Sequence, residues 1–203
     1  MADFTLNAPG TTNNPWTPAN VIILDSTIKS DATGFRANTP GVFVDLAHNV
    51  TYGLTITATA TIAAGATSSG DQIYLGAVVR SGANAAAGIG VLIDAFICSA
   101  GWWDVTGNTF TKVSTPDNSI TRANADVWSV TISISGGVAS ISCLQNATPI
   151  TFGGSHTTTQ WATEPSLAAG VGFTAGNNNS LYLSQFTGTG VQATTTASIA
   201  WVV

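Results

Sequence analysis

Charge is scarce in this chain. Of its 203 residues only 7% are Asp, Glu, Lys or Arg, where an ordinary soluble domain carries about a quarter. There are 10 acids against 5 bases, and Glu164 is the sole glutamate. Histidine and cysteine occur twice each. Acid–base and nucleophilic catalysis draw on carboxylates, imidazoles, amines and thiols, so this composition leaves few ways to assemble an active site. The bases Lys29, Arg36, Arg80, Lys112 and Arg122 are scattered, and the net charge is −5. That balance argues against nucleic acid, which needs clustered cations to neutralise phosphates.

Long apolar runs are missing too. No stretch reaches the roughly 18 residues of a membrane-spanning helix, and Met1–Leu6 shows neither the basic nor the apolar region of a signal peptide. Helix formers at a period near 3.6 do not occur together in any window. The Ala-rich piece from Ser81 to Gly90 is interrupted by Gly82, Asn84, Gly88 and Gly90, and reads as a loop or bulged strand.

What remains is Thr, Ser, Asn, Ala and Gly around short β-branched and aromatic runs. The hydrophobic fraction of 44% is near the usual value of about 45–50%, enough for a full core. In Leu54–Ile62, apolar residues alternate with threonines, placing Leu54, Ile56, Ala58, Ala60 and Ile62 on one face of a strand. Residues 128–134 repeat the pattern with Trp128, Val130, Ile132 and Ile134 inward. Ser135-Gly136-Gly137 follows, where glycines tolerate the positive φ of a hairpin turn, and Val138–Leu144 returns as the partner strand. Further strands are expected at Gly90–Cys98, Ser166–Thr174 and Leu181–Thr187. About ten strands with turns every 8–12 residues and no crossover helix mean an all-β domain of antiparallel sheets, as a sandwich or a barrel.

Cys98 and Cys143 both fall in strand-like runs, and the spacing is compatible either with two buried thiols or with one bridge between facing strands. His48 and His156 stand in loop-like sequence without a partner at metal-ligand spacing. Asp25, Asp31, Asp117 and Asn118 have the oxygen chemistry of calcium ligands but no motif, so neither a metal nor a cofactor is expected. No Gly-x-Ser-x-Gly elbow is present.

The order of elements resembles a known family. Asp3–Thr12, Pro15-Trp16-Thr17, the hairpin from Trp128, Ala168-Ala-Gly-Val-Gly-Phe-Thr-Ala-Gly176 and Asn177–Gly188 together resemble the concanavalin A-like (LamG-type) jelly-roll domain of bacteriophage virion proteins. The resemblance spans roughly residues 3–190 and implies a two-sheet sandwich in which Leu181–Phe186 pairs back with Asp3–Leu6. Residues 1–190 are then the sandwich and 191–203 a C-terminal extension. The extension ends in the apolar Ile199, Trp201, Val202 and Val203, which either complete the domain's own sheet or dock on a neighbour.

Branches of this fold include glycosidases, which need two carboxylates about the scissile bond. Glu164 is isolated and Asp94 has no acidic neighbour. The lyase-like Gln-x-His strand is echoed only by Gln72-Ile73-Tyr74, with Arg80 downstream. No catalytic residue is therefore assigned. A ligand-binding set of Trp102, Trp103, Asp104 and Asn108 is proposed instead, because aromatic faces stack on sugars while amides and carboxylates bind hydroxyls. Strand alternation offers another reading of the Trp pair, one residue in the core and the other at the surface. The polar, uncharged composition without an export signal suits a virion protein, made in the host cytoplasm and used outside it. The expected function is non-enzymatic: capsid decoration or fibre-like adhesion, as a homo-oligomer contacting other virion proteins and cell-surface glycans. The rival is a polysaccharide-degrading enzyme.

Overall fold

The computed structural model describes residues 4–7, 21–23, 28–30, 33–37, 43–48, 55–67, 70–81, 84–104, 109–117, 119–163, 167–174 and 180–191. Among them there is no helix. The strands of the first half are β1 (Phe4–Asn7), β2 (Val21–Ile23), β3 (Ile28–Ser30), β4 (Phe35–Ala37), β5 (Phe43–His48), β6 (Thr55–Ala64), β7 (Gln72–Ser81), β8 (Asn84–Ile93) and β9 (Cys98–Asp104). The second half adds β10 (Thr109–Lys112), β11 (Ser114–Thr115), β12 (Val127–Ser135), β13 (Val138–Gln145), β14 (Thr148–Pro149), β15 (Gly153–Gly154), β16 (Thr157–Thr158), β17 (Leu167–Thr174) and β18 (Tyr182–Val191).

Among the described residues these strands make two large antiparallel sheets and a small ribbon. The first sheet runs β14-β13-β12-β6-β18-β4-β3, with β1 also on β18 and β16 also on β13. The second runs β10-β9-β8-β7-β17-β5-β2, and β11 pairs β15. The architecture is an all-β, antiparallel two-sheet sandwich. As expected, the last strand pairs with the first, with Phe4 opposite Gly188 and Leu6 opposite Phe186. β18 continues to Val191, one residue into the expected extension; Ile199, Trp201, Val202 and Val203 lie outside the described residues.

Period-two alternation builds the interior. Ile56, Ala58, Ala60 and Ile62 of β6 meet Trp128, Val130 and Ile132 of β12, all essentially fully buried. From the opposing sheet come Ile73, Leu75 and Ala77, then Ile89, Val91 and Ile93, then Leu167, Ala169 and Val171. Each large side chain removed from water contributes about 1.5–3 kcal/mol. Ile134 packs half-buried on this cluster. Gly136 and Gly137 turn the β12–β13 hairpin at φ of 58° and 77°, inside the left-handed region that two-residue turns require.

The solvent face of the first sheet is a field of hydroxyls. Thr189, Thr57, Thr131 and Ser142 stand side by side across four strands, and Thr57 and Thr131 share a 2.8 Å hydrogen bond between their hydroxyls. Thr59 and Ser129 do the same at 2.8 Å.

Two sequence expectations need correction, and one open reading is decided. The Ala-rich segment is the bulged strand: from Asn84 it is β8, paired along β7 with a register shift at Val79/Arg80. Its glycines mislead when read locally: a Cβ at Gly88 would lie 2.2 Å from Tyr74 Oη, so tertiary packing demands the missing side chain. Gly90–Cys98 is not one strand, because Asp94 turns the chain: its Oδ1 accepts the Ala95 N–H at 2.6 Å, and Asp94 N–H donates to the Ile97 carbonyl. His48 is not in a loop but ends β5, opposite Val21.

Candidate functional site

The site rests on the β9–β10 hairpin, the outer edge of the second sheet. In β9, Cys98 and Ala100 belong to the core between the sheets, so Trp102 and Asp104 share their face. Ser99, Gly101 and Trp103 face the other way. Trp103 is 2% exposed while Trp102 is half-buried. The adjacent tryptophans therefore divide as strand alternation requires.

On the outer face the aromatics interlock. Trp103 lies opposite Gly88 on one side and Phe110 on the other. The Tyr74 ring sits 5.7 Å from Trp103 and 6.3 Å from Phe110, centroid to centroid, in tilted and edge-on arrangements that aromatic pairs favour. Tyr74 Oη donates to the Ala77 carbonyl at 2.5 Å, fixing the ring across the sheet. Beneath this layer Gly170, Gly76, Gly90 and Gly101 are aligned across four adjacent strands. A Cβ at Gly101 would stand 2.1 Å from the Thr111 carbonyl oxygen.

On the face of Trp102 the register sets Thr111 opposite Trp102 and Thr109 opposite Asp104. Asp104 and Thr111 are half-buried and Thr109 is exposed. An indole, a carboxylate and two hydroxyls thus share one face at the sheet edge. That combination offers an apolar plate and polar groups for a hydroxyl-rich ligand. Asn108 lies outside the described residues, as do Asp25, Asp31, Asn118 and Glu164. Among the described residues no three of His, Cys, Asp and Glu converge on an ion site, and no helix is long and apolar enough to cross a membrane.

Among the described residues, four other carboxylates serve the scaffold. Asp94 Oδ2 accepts Gln72 Nε2 at 3.1 Å. Asp71 Oδ2 accepts the backbone N–H and the hydroxyl of Ser180 at 3.1 and 3.0 Å. Asp126 takes Ala123 N–H, Gln145 Nε2 and Asn146 Nδ2. Asp117 accepts Ser119 N–H and hydroxyl and Thr151 N–H; the Ser119 hydroxyl is the main reason its carboxyl titrates below the usual value of 3.8. His156 is exposed, and its carbonyl accepts Ile141 N–H.

One charged residue that the sequence did not single out is central to the fold. Arg122 is fully buried. Its Nε donates to the Ala66 carbonyl at 2.7 Å, and Nη1 donates to the carbonyls of Asp71 and Ile93 at 2.8 and 3.3 Å. Burial pulls its pKa down to about 10, against the opposing pull of Asp94 and Asp71. No pattern in Thr121-Arg122-Ala123 advertises this role. Cys98 and Cys143 are buried free thiols. Trp128 is core and Trp161 packs half-buried against it; Trp16 and Trp201 lie outside the described residues.

No protein-family model matches the chain, and no curated protein matches it in sequence. Solved structures do match in fold. A point mutant of the Emp46p carbohydrate recognition domain superposes with a TM-score of 0.56 at 10% identity, covering 91% of this chain and 96% of that one. The endo-1,3-beta-glucanase of Streptomyces sioyaensis gives 0.55 at 8% identity, covering 95% and 96%. A structure from work on endo-acting O-glycanases of the human gut microbiota gives 0.55 at 8%, covering 95% and 100%. At such identities the likeness concerns the fold, which is that of the concanavalin A-like lectin and glucanase jelly rolls.

Proposed function

We propose that this concanavalin A-like sandwich is a non-enzymatic glycan-recognising protein carried on the surface of a bacteriophage particle, as a capsid decoration or fibre-like component. The observation that carries the glycan reading is the shared face of Trp102, Asp104, Thr109 and Thr111 at an outer sheet edge. Trp102 is the stacking residue of this site, since Trp103 is committed to the aromatic layer. The carbohydrate recognition domain and the glucanase among the structural neighbours supply the analogy of fold, and only that.

The particle-surface reading rests on composition. Few charges, and a sheet face of paired threonines and serines, favour close packing against repeated neighbours without desolvating ions. Homo-oligomerisation belongs to the same proposal, because weak single sites gain avidity when several are held together. The apolar Ile199, Trp201, Val202 and Val203 are the proposed anchor to other virion proteins. Deleting residues 192–203 is expected to abolish particle binding; unchanged binding and oligomeric state would reject the anchor.

The non-enzymatic reading is supported by the carboxylates. Asp71, Asp94, Asp117 and Asp126 each accept hydrogen bonds from backbone or side-chain donors of the scaffold, whereas glycoside hydrolysis needs two carboxyl groups about 5–9.5 Å apart across a substrate. The two glycanase neighbours favour the rival reading, a polysaccharide-degrading enzyme.

A glycan array probed with the purified chain separates these readings. Binding that is lost in Trp102→Ala, with the polysaccharide left at full length, is the expected result. Chain shortening that disappears in Asp94→Ala would replace the proposal with the enzymatic one. No binding by the wild-type oligomer would remove the glycan reading.

A further inference from the structure

β13 is the last long strand on one side of the first sheet. β14 pairs with its Leu144 and Gln145, and β16 with its Ala139 and Ser140. Between these short strands, β13 and residues 149–156 enclose an open groove of about 410 Å³. Leu144, Pro149, Ile150, Phe152 and His156 line it, and no acid, lysine or arginine does. Leu144 is 37% exposed and Phe152 half-buried, so the groove keeps apolar surface in water. Its walls are fixed in advance. Ile150 N–H donates to the Cys143 carbonyl at 2.9 Å and Ile141 N–H to the His156 carbonyl at 3.0 Å. Thr151 N–H donates to Asp117 Oδ2 at 3.3 Å. A groove held in this way needs little ordering when a ligand enters.

The same chain carries a segment of matching chemistry. Ile199-Ala-Trp-Val-Val203 has no charged side chain, so burying it strips water from no ion. In an extended conformation Ile199, Trp201 and Val203 share one face. An indole with an aliphatic neighbour suits a groove of this size, which falls within the roughly 300–1,000 Å³ of small-ligand pockets. Reach decides which copy supplies the segment. Val191 ends β18 on the row of Thr55, Ser133, Ser140 and Thr157. Its own groove is therefore about 20 Å away, across four strand intervals. The eight steps from Val191 to Ile199 span at most about 26–29 Å. Within one molecule the linker would be drawn nearly straight over its own hydroxyl face, at a large cost in chain entropy. Between molecules the copies can approach until the linker is slack.

We propose that the groove beside β13 receives residues 199–203 of a second copy of this chain, with Trp201 seated against Leu144, Pro149 and Phe152. The inference rests on the docking role proposed above for this segment and names another copy as its partner. A tail-into-groove contact joins two different surfaces, so it closes as a reciprocal pair or a ring, or else extends as a filament.

The test measures mass by light scattering for the wild type, for the chain lacking residues 192–203, and for Leu144→Arg. Leu144 is exposed, and circular dichroism checks that the variant folds; Pro149→Arg, on the facing wall, is a second blocking variant. The wild type is expected to be oligomeric and each variant monomeric. Mixing the truncated chain, which keeps its groove, with Leu144→Arg, which keeps its tail, is expected to restore a dimer. A fluorescent peptide of residues 196–203 should bind the truncated chain, and about tenfold more weakly once Leu144→Arg is added. An oligomer that dissociates on truncation but survives both arginine variants overturns the groove and leaves the docking role of the segment standing. An oligomer unchanged by truncation overturns both. A monomeric wild type whose truncated form binds the peptide assigns the groove to the chain's own tail and overturns exchange between copies.

Discussion

Arg122 Nη1 donates to the main-chain oxygen of Asp71 at 2.8 Å, while the Asp71 carboxylate turns to Ser180 instead. The guanidinium is thus used as a fork for carbonyls. With Ala66 and Ile93 it joins the loops after β6 and before β7 to the end of β8. Substituting Arg122→Met keeps the length and removes every donor, leaving three buried carbonyls short of a partner. The expected loss is about 3–5 kcal/mol, measured by urea unfolding. A change under 1 kcal/mol would mean that water replaces the fork.

Trp103 and Trp102 should respond in opposite ways. Trp103→Ala removes a buried ring from the layer with Tyr74 and Phe110 and is expected to cost about 3–5 kcal/mol. Trp102→Ala should cost under about 1 kcal/mol and act on ligand binding. Equal destabilisation by both, in paired melting curves, would contradict the division of faces.

Tyr74→Phe deletes only the hydroxyl that reaches the Ala77 carbonyl. That carbonyl lies near the β7 register shift, and losing its donor should cost about 1–3 kcal/mol. Circular dichroism melts check this, with the aromatic layer expected to persist.

Ala147 sits at φ 65° beside Asn146 at φ 50° in the turn between β13 and β14. Left-handed backbone costs an alanine about 1 kcal/mol that glycine avoids. Ala147→Gly, at an exposed position, is therefore expected to stabilise the chain and raise Tm by about 2–4 °C.

Asp117 supplies a pH signature. Its folded pKa lies below the ordinary 3.8, so its contribution to stability is present above that value and is lost as pH falls through the folded pKa. The wild type should exceed Asp117→Asn in Tm at pH 6, and the gap should close in strong acid. The carboxylate is largely solvated, so the gap will be small. A gap that widens on acidification would reverse the assignment.

Much of the scaffold was legible because it is encoded locally. The Thr/Ala alternation of β6 and the Ser135-Gly-Gly137 turn specify strand faces and hairpin without distant help; both occur as read from Thr55 on, and Leu54 lies outside the described residues. The pairing of β1 with β18 was legible through the resemblance of element order. Three features were not. The Ala-rich β8 reads as a loop as readily as a bulged strand because Gly88 answers to Tyr74, fourteen residues upstream, and Gly90 to the backbone of Leu75 and Gly76. Arg122 looks like any surface base because the carbonyls of Ala66, Asp71 and Ile93 that it binds are backbone atoms, which leave no trace in side-chain identity. Strand alternation divided Trp102 from Trp103 correctly, but it does not say which face receives the aromatic layer and which remains half-open at the edge; that depends on where the opposing sheet ends.

The glycine line through Gly170, Gly76, Gly90 and Gly101 has a consequence for how this molecule varies. A methyl group at Gly90 would stand 2.3 Å from the Leu75 carbonyl, and one at Gly170 would stand 2.4 Å from a Val78 methyl. Backbone and core hold that line from both sides, so almost no substitution is admissible along it. The hydroxyl field on the opposite sheet carries no such restriction beyond its strand propensity. Mutational freedom in this sandwich is therefore lopsided, and a deep substitution scan should trace the line as a stripe of intolerance one residue wide across four strands. Diversity in related chains, natural or selected, would accumulate on the threonine face and at the Trp102 edge.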